Sequence, residues 1–157
     1  MSDYPPAGAM GAEDPVDGLG RPLAAWGQRL GAFVIDEIFV FVMTFCAVFL
    51  FGLRHKLAGG LLSLVMAVGY YAFLNGSDVG QTFGKRALGI QVRDAASAGT
   101  IGVQRAALRS FVAALFRVVP FFGLFTLLDG LWPLRDPQRQ ALHDKIAGSV
   151  VVRVTQT

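Results

Sequence analysis

Ile38-Phe-Val-Phe-Val-Met-Thr-Phe-Cys-Ala-Val-Phe-Leu-Phe-Gly-Leu53 is apolar throughout apart from Thr44 and Gly52. As a helix these sixteen residues reach about 24 Å, short of a hydrocarbon core of about 30 Å. A span built on the run must therefore begin near Leu30. That start draws Asp36 and Glu37 to the membrane interface and sets Arg29 at headgroup level. Outward from there, residues 57–74 form a second apolar block, bounded by Arg54-His55-Lys56 and by Asn75-Gly76-Ser77-Asp78. Its length of roughly 27 Å also fits a span, so the two blocks predict a tight hairpin of spans at about 30–53 and 57–74. Gly59, Ser63 and Ala67 recur every fourth residue, a spacing that lets helix backbones approach closely in lipid, and the expected partner is the first helix.

The third apolar block, 106–134, is interrupted by Arg117, Pro120 and Asp129. It reads either as one span or as a broken, re-entrant pair. Basic residues help to choose. Arg21, Arg29, Lys85, Arg86, Arg93, Arg105 and Arg109 flank one end of the hairpin, and Arg54 and Lys56 the other, so the N-terminus and the loop 75–105 are expected to be cytoplasmic. A single crossing by 106–134 would carry Arg135, Arg139, Lys145 and Arg153 outside, whereas a turn at Pro120 keeps them inside. The two strand-like runs, 88–93 and 149–154, need partners for their backbone groups, and their mutual pairing requires a common side. The expected fold is an all-α membrane protein with two clear transmembrane helices, a third broken or re-entrant hydrophobic segment, and a small cytoplasmic β pairing of 88–93 with 149–154.

Composition agrees with a lipid-facing chain: 54% of the 157 residues are hydrophobic and only 16% charged, and the apolar ones fall in long blocks. Residues 1–20 carry Asp3, Glu13, Asp14 and Asp17 but no basic residue to begin a signal peptide, and read as a disordered, uncleaved acidic tail. The membrane domain then covers 21–154. The net charge of +3 clusters beside the apolar blocks, where lipid headgroups explain it, and no nucleic-acid partner is expected. Cys46 is the only cysteine, which excludes an intramolecular disulfide and a cysteine-built metal site. Asp136-Pro137 reads as a cap with proline at the first helical position, predicting a C-terminal helix over 137–147 that Gly148 ends.

Arg29 and Asp36 lie within about 20° on one helix face but about 10.5 Å apart along it. A bridging water or a partner from elsewhere in the chain therefore suits them better than a bare pair. Ionisable groups inside a membrane segment are costly, which favours a proton or cation site; the competing reading is that these charges only set helix position. Glu37 sits about 100° round the helix, at the rim. Arg117, three residues before Pro120, is a further candidate partner for Asp36. Gly80-Gln-Thr-Phe-Gly84-Lys85-Arg86 superficially resembles a phosphate loop, but its glycines are one residue too close and Arg86 stands where a magnesium-binding hydroxyl belongs. His143-Asp144 has only His55 as a further histidine, and no nucleophile has a credible base, so no enzyme, metal or cofactor is expected.

Three blocks occur in order: Arg29-Leu-Gly-Ala-Phe-Val-Ile-Asp36, Gly80-Gln-Thr-Phe-Gly-Lys-Arg-Ala-Leu-Gly-Ile-Gln-Val92, and Leu142-His-Asp144-Lys-Ile-Ala-Gly-Ser-Val-Val-Val152. Together they resemble the RDD family of small bacterial integral membrane proteins over about residues 22–153. The resemblance maps the family's arginine and two aspartates to Arg29, Asp36 and Asp144. It implies a cell-membrane protein and, as proposed for some members, transport that includes sodium/proton exchange. The expectation is a multi-pass protein, with both termini cytoplasmic, in which Arg29, Asp36 and Asp144 form a polar network handling protons or monovalent cations. Two or three helices enclose little room, so conduction would need a homo-oligomer. The alternative is a non-catalytic accessory or scaffold subunit of another membrane protein complex. Glu37 and the short, charged third block depart from the family pattern and argue against an autonomous pathway.

Overall fold

The computed structural model describes residues 15–50, 56–118 and 123–154. Two long helices dominate, α1 (Trp26–Leu50) and α2 (Lys56–Gly76), and the turn joining them lies outside the described residues. Both are apolar and long enough to cross a membrane. Their apolar side chains point outward: Phe41, Phe49, Leu57 and Val65 are each at least two-thirds exposed. An exposed apolar surface of this extent marks a face that meets a membrane or a partner protein.

Beyond α2 come a short helix α3 (Phe83–Ala87), a strand β1 (Ile90–Asp94), helices α4 (Gly102–Val118) and α5 (Gly123–Leu131), a single 3-10 turn (Trp132–Leu134), a short helix α6 (Leu142–Ile146) and a strand β2 (Ser149–Arg153). β1 and β2 pair antiparallel with Val92 opposite Val151, as the two strand-like runs predicted. Leu23 adds an isolated bridge to Val152 on the outer side of β2. Leu23, Ala24, Ile90, Val92 and Val150 to Val152 are buried around this ribbon, which, with α3 and α6, caps one end of the helices.

The third block is two helices. α4 leaves the cap, with Arg105 Nε and Nη2 donating to the carbonyls of Ala147 and Gly148, each at 2.8 Å. α5 comes back to it: the main-chain N–H of His143 donates to Asp129 Oδ1 at 3.0 Å, and Trp26 Nε1 donates to the Gly130 carbonyl at 2.8 Å. Both ends of the block therefore meet the same cap, as a returning hairpin requires. Pro120, expected at the turn, lies outside the described residues. With nine residues, α5 reaches only about 13 Å, roughly half a hydrocarbon core.

Three expectations need correction. First, the order of the chain begins before residue 20. The Asp17 carboxylate accepts from the N–H groups of Leu19 and Arg21 and from Arg21 Nε, and Arg21 in turn donates to the Asp94 carbonyl, so residues 15–20 fold onto the cap. Residues 1–14 lie outside the described residues. Second, the C-terminal helix covers Leu142–Ile146 and not 137–147. Asp136 caps a turn by accepting from Gln140 N, and Arg139 adopts a left-handed φ of 49°, which no helix can continue through. Third, α2 packs chiefly along α4 and less on α1. Gly59 does face Val48 of α1, yet the closest approach is at Gly76, where a Cβ would lie 2.5 Å from Val103 Cα.

Candidate functional site

Asp36 lies in the second turn-pair of α1, and 1% of its surface is accessible. Both carboxylate oxygens are occupied by hydrogen-bond donors. Tyr70 Oη of α2 and the Gly84 main-chain N–H donate to Oδ1, each at 2.8 Å, and Thr82 Oγ1 donates to Oδ2 at 2.5 Å. Thr82 also caps α3, accepting from Lys85 N at 3.3 Å. The segment Gly80–Arg86 is therefore an anion cradle, and the anion is a carboxylate of its own chain. Gly84 makes the approach feasible, since a Cβ there would stand 2.1 Å from the Ala32 carbonyl oxygen of α1.

Asp144 is wholly buried at the third position of α6. Arg29 Nη1 donates to its Oδ2 and Arg109 Nε to its Oδ1, both at 2.7 Å, and Ala141 N closes the helix start on Oδ2 at 3.1 Å. Burial alone would raise the Asp144 carboxyl. The guanidiniums of Arg109 and Arg29 outweigh it and hold the group well below the usual carboxylate range. Beside it, His143 Nδ1 lies 2.6 Å from Asp129 Oδ2, which ties α6 to α5.

Lys85 sits between the two carboxylates. Its ammonium donates to Asn75 Oδ1 at 2.7 Å and lies 5.9 Å from the Tyr71 ring centroid. Burial pushes it down to about 7. Arg109 pushes the same way, while Asp36 and Asp144 pull it back up.

Of the sequence candidates, Arg29 and Asp144 form a direct ion pair. Asp36 does not bond to Arg29; as their spacing along α1 required, each takes its partner from another segment. Glu37 stands apart, with Tyr71 Oη donating to its Oε1 at 3.0 Å. The Arg117 side chain, a further candidate partner for Asp36, lies outside the described residues. Sequence reasoning did not assign Tyr70, Thr82, Gly84, Lys85 or Arg109 to the site. The glycine-punctuated segment ahead of Lys85 was the available signal, but it was weighed only against phosphate.

These groups surround a partly open cavity of about 380 Å³ between α1, α2, α4 and α5. Arg29, Asp36, Lys85, Arg109, Asp129 and His143 line its polar part, and Leu30, Phe33, Val68, Ala113 and Leu127 are among its apolar walls. No cluster of three or more metal-ligating side chains occurs among the described residues.

Comparison with the curated proteins and with the solved structures gave no match. The model of the RDD family matches residues 23–148, most of the chain, and takes in Arg29, Asp36, the Gly80–Arg86 cradle and Asp144. The chain is a member of the RDD family.

Proposed function

We propose that this protein is a multi-pass cell-membrane protein acting as a non-catalytic accessory or scaffold module, in which Arg29, Asp36 and Asp144 join the membrane helices to the cap. The outward apolar faces of α1 and α2 support insertion. The cap carries Arg86, Arg93, Arg135 and Lys145, so the positive-inside rule puts it and both termini in the cytoplasm. One observation carries the architectural role: the carboxylates of Asp36 and Asp144 are filled by donors from segments far away in the chain. A conducted cation needs converging oxygen acceptors. What converges on Asp36 is donors.

A second reading is favoured by Lys85, a buried amine between two carboxylates that titrates near neutrality, which suits proton handling. Proteoliposomes of wild type and Asp36→Asn, at matched density and orientation, separate the two. The architectural reading expects no proton-coupled sodium or potassium flux from either, together with a lower folded yield of Asp36→Asn. Flux in the wild type that is lost in a normally folded mutant would overturn it.

A further inference from the structure

The cavity between α1, α2, α4 and α5 has a surplus of donors at its polar end. Asp144 is shared by Arg29 and Arg109, Asp129 is held by His143, and Asp36 is filled by Tyr70, Thr82 and Gly84. Arg29 nevertheless keeps two buried nitrogens, Nε and Nη2, without a hydrogen-bond partner among the described residues. These two lie on one edge of the planar guanidinium and point their N–H bonds the same way. Asp144 takes only Nη1. An idle two-pronged edge of this kind is costly when buried, and its geometry matches two oxygens of a carboxylate or a phosphate.

The rest of the cavity is apolar: Leu30 and Phe33 of α1, Val68 of α2, Ala113 of α4 and Leu127 of α5. Its volume lies within the roughly 300–1,000 Å³ usual for ligand pockets. A soluble anion would gain nothing from those walls. An alkyl chain would.

We infer that this cavity is a binding site for an anionic membrane lipid, whose two-oxygen head takes the Nε/Nη2 edge of Arg29 after a turn of that buried side chain opens the edge to the cavity, and one of whose acyl chains lies between α1, α4 and α5. Lys85, on the same cavity with one hydrogen bond to Asn75, adds a second N–H donor for the head. The chemistry selects an anionic over a zwitterionic head, because the trimethylammonium of a choline lipid finds no open carboxylate beside the phosphate.

Trp26 lines the cavity, and Trp132 is the only other tryptophan. The full chain carrying Trp132→Phe, in phosphatidylcholine nanodiscs, therefore reports cavity occupancy through quenching of Trp26 by brominated acyl chains. Brominated phosphatidic acid is expected to quench saturably, at lipid fractions where brominated phosphatidylcholine does not. Arg29→Lys keeps the charge and loses the paired edge, and should weaken the effect roughly tenfold or more. Ala113→Phe fills the apolar wall, leaves the charged network untouched, and should abolish saturable quenching even where Arg29→Lys fails to fold. Equal quenching by both lipids would mean ordinary annular contact and overturn the site. So would saturable quenching that survives Ala113→Phe, or displacement of the brominated lipid by inorganic phosphate, which would assign the edge to a soluble anion.

Discussion

Gly84 shows how much one missing side chain decides. Its N–H reaches Asp36 only because the main chain of α3 lies against α1, where a Cβ would sit 2.1 Å from the Ala32 carbonyl and 3.0 Å from Asp36 Cγ. Gly84→Ala must push α3 off α1 and is expected to cost about 1–3 kcal/mol, measured as a lower unfolding midpoint in detergent. Unchanged stability would mean that Asp36 is not held through this contact. The residue scale is also where the sequence was least legible. Gly80, Thr82 and Gly84 announce a loop that offers main-chain and hydroxyl donors to an anion, but nothing in their spacing says that the anion is a carboxylate 48 residues earlier in the chain. Arg109 was equally silent, because a lone arginine near an apolar block reads as a topology charge until Asp144 is seen against it.

At the scale of elements, the α4–α5 pair is a returning hairpin because its two ends bond to the two sides of α6, Arg109 to Asp144 and Asp129 to His143. Two of the charges within residues 106–134, Arg109 and Asp129, anchor the block at the cap. Ser97, before α4, and Gln138, after α5, are both exposed. In a Cys46→Ser background, Ser97→Cys and Gln138→Cys are expected to react with an impermeant thiol reagent from the same side of sealed vesicles. Labelling from opposite sides would require the block to cross the membrane. Two long apolar helices and a broken third block were legible from apolar run lengths and charges, and a paired ribbon from two strand-like runs. The short α6 was not: Asp136-Pro137 looks like a helix start, but local preference loses to the turn that delivers Asp144 to its arginines.

For the whole molecule, the cap and the helices are joined through buried charges, and this gives stability a pH dependence whose sign follows from Lys85. Its folded value, about 7, lies below the ordinary 10.5. Between these values the unfolded chain holds a proton that the folded one does not, so stability rises with pH from about 7 towards 10.5 and is lower by the full burden below 7. Unfolding midpoints over pH 7 to 10 should climb more steeply in wild type than in Lys85→Met, which cannot titrate there. Parallel curves would mean that Lys85 stays charged in the folded protein. Asp144 acts in the opposite regime: its depressed carboxyl contributes stability that is complete above the ordinary carboxylate value of 3.8 and is lost only as pH falls through its lower folded value.

Run length and charge position along the chain determined the two long helices and the broken third block, strand-like runs the ribbon, and three ordered motif blocks the family, because each of these signals is carried by consecutive residues. Which charge meets which was decided only by the tertiary structure. Arg29 and Asp36 share a helix face but are separated by its rise, so each is neutralised or filled by groups that folding brings in: Asp144 from the C-terminal cap for Arg29, and Tyr70, Thr82 and Gly84 for Asp36. A buried charge is stable only where donors and acceptors converge in space, and that convergence belongs to the packing of α1, α2, α4 and the cap rather than to any one stretch of sequence.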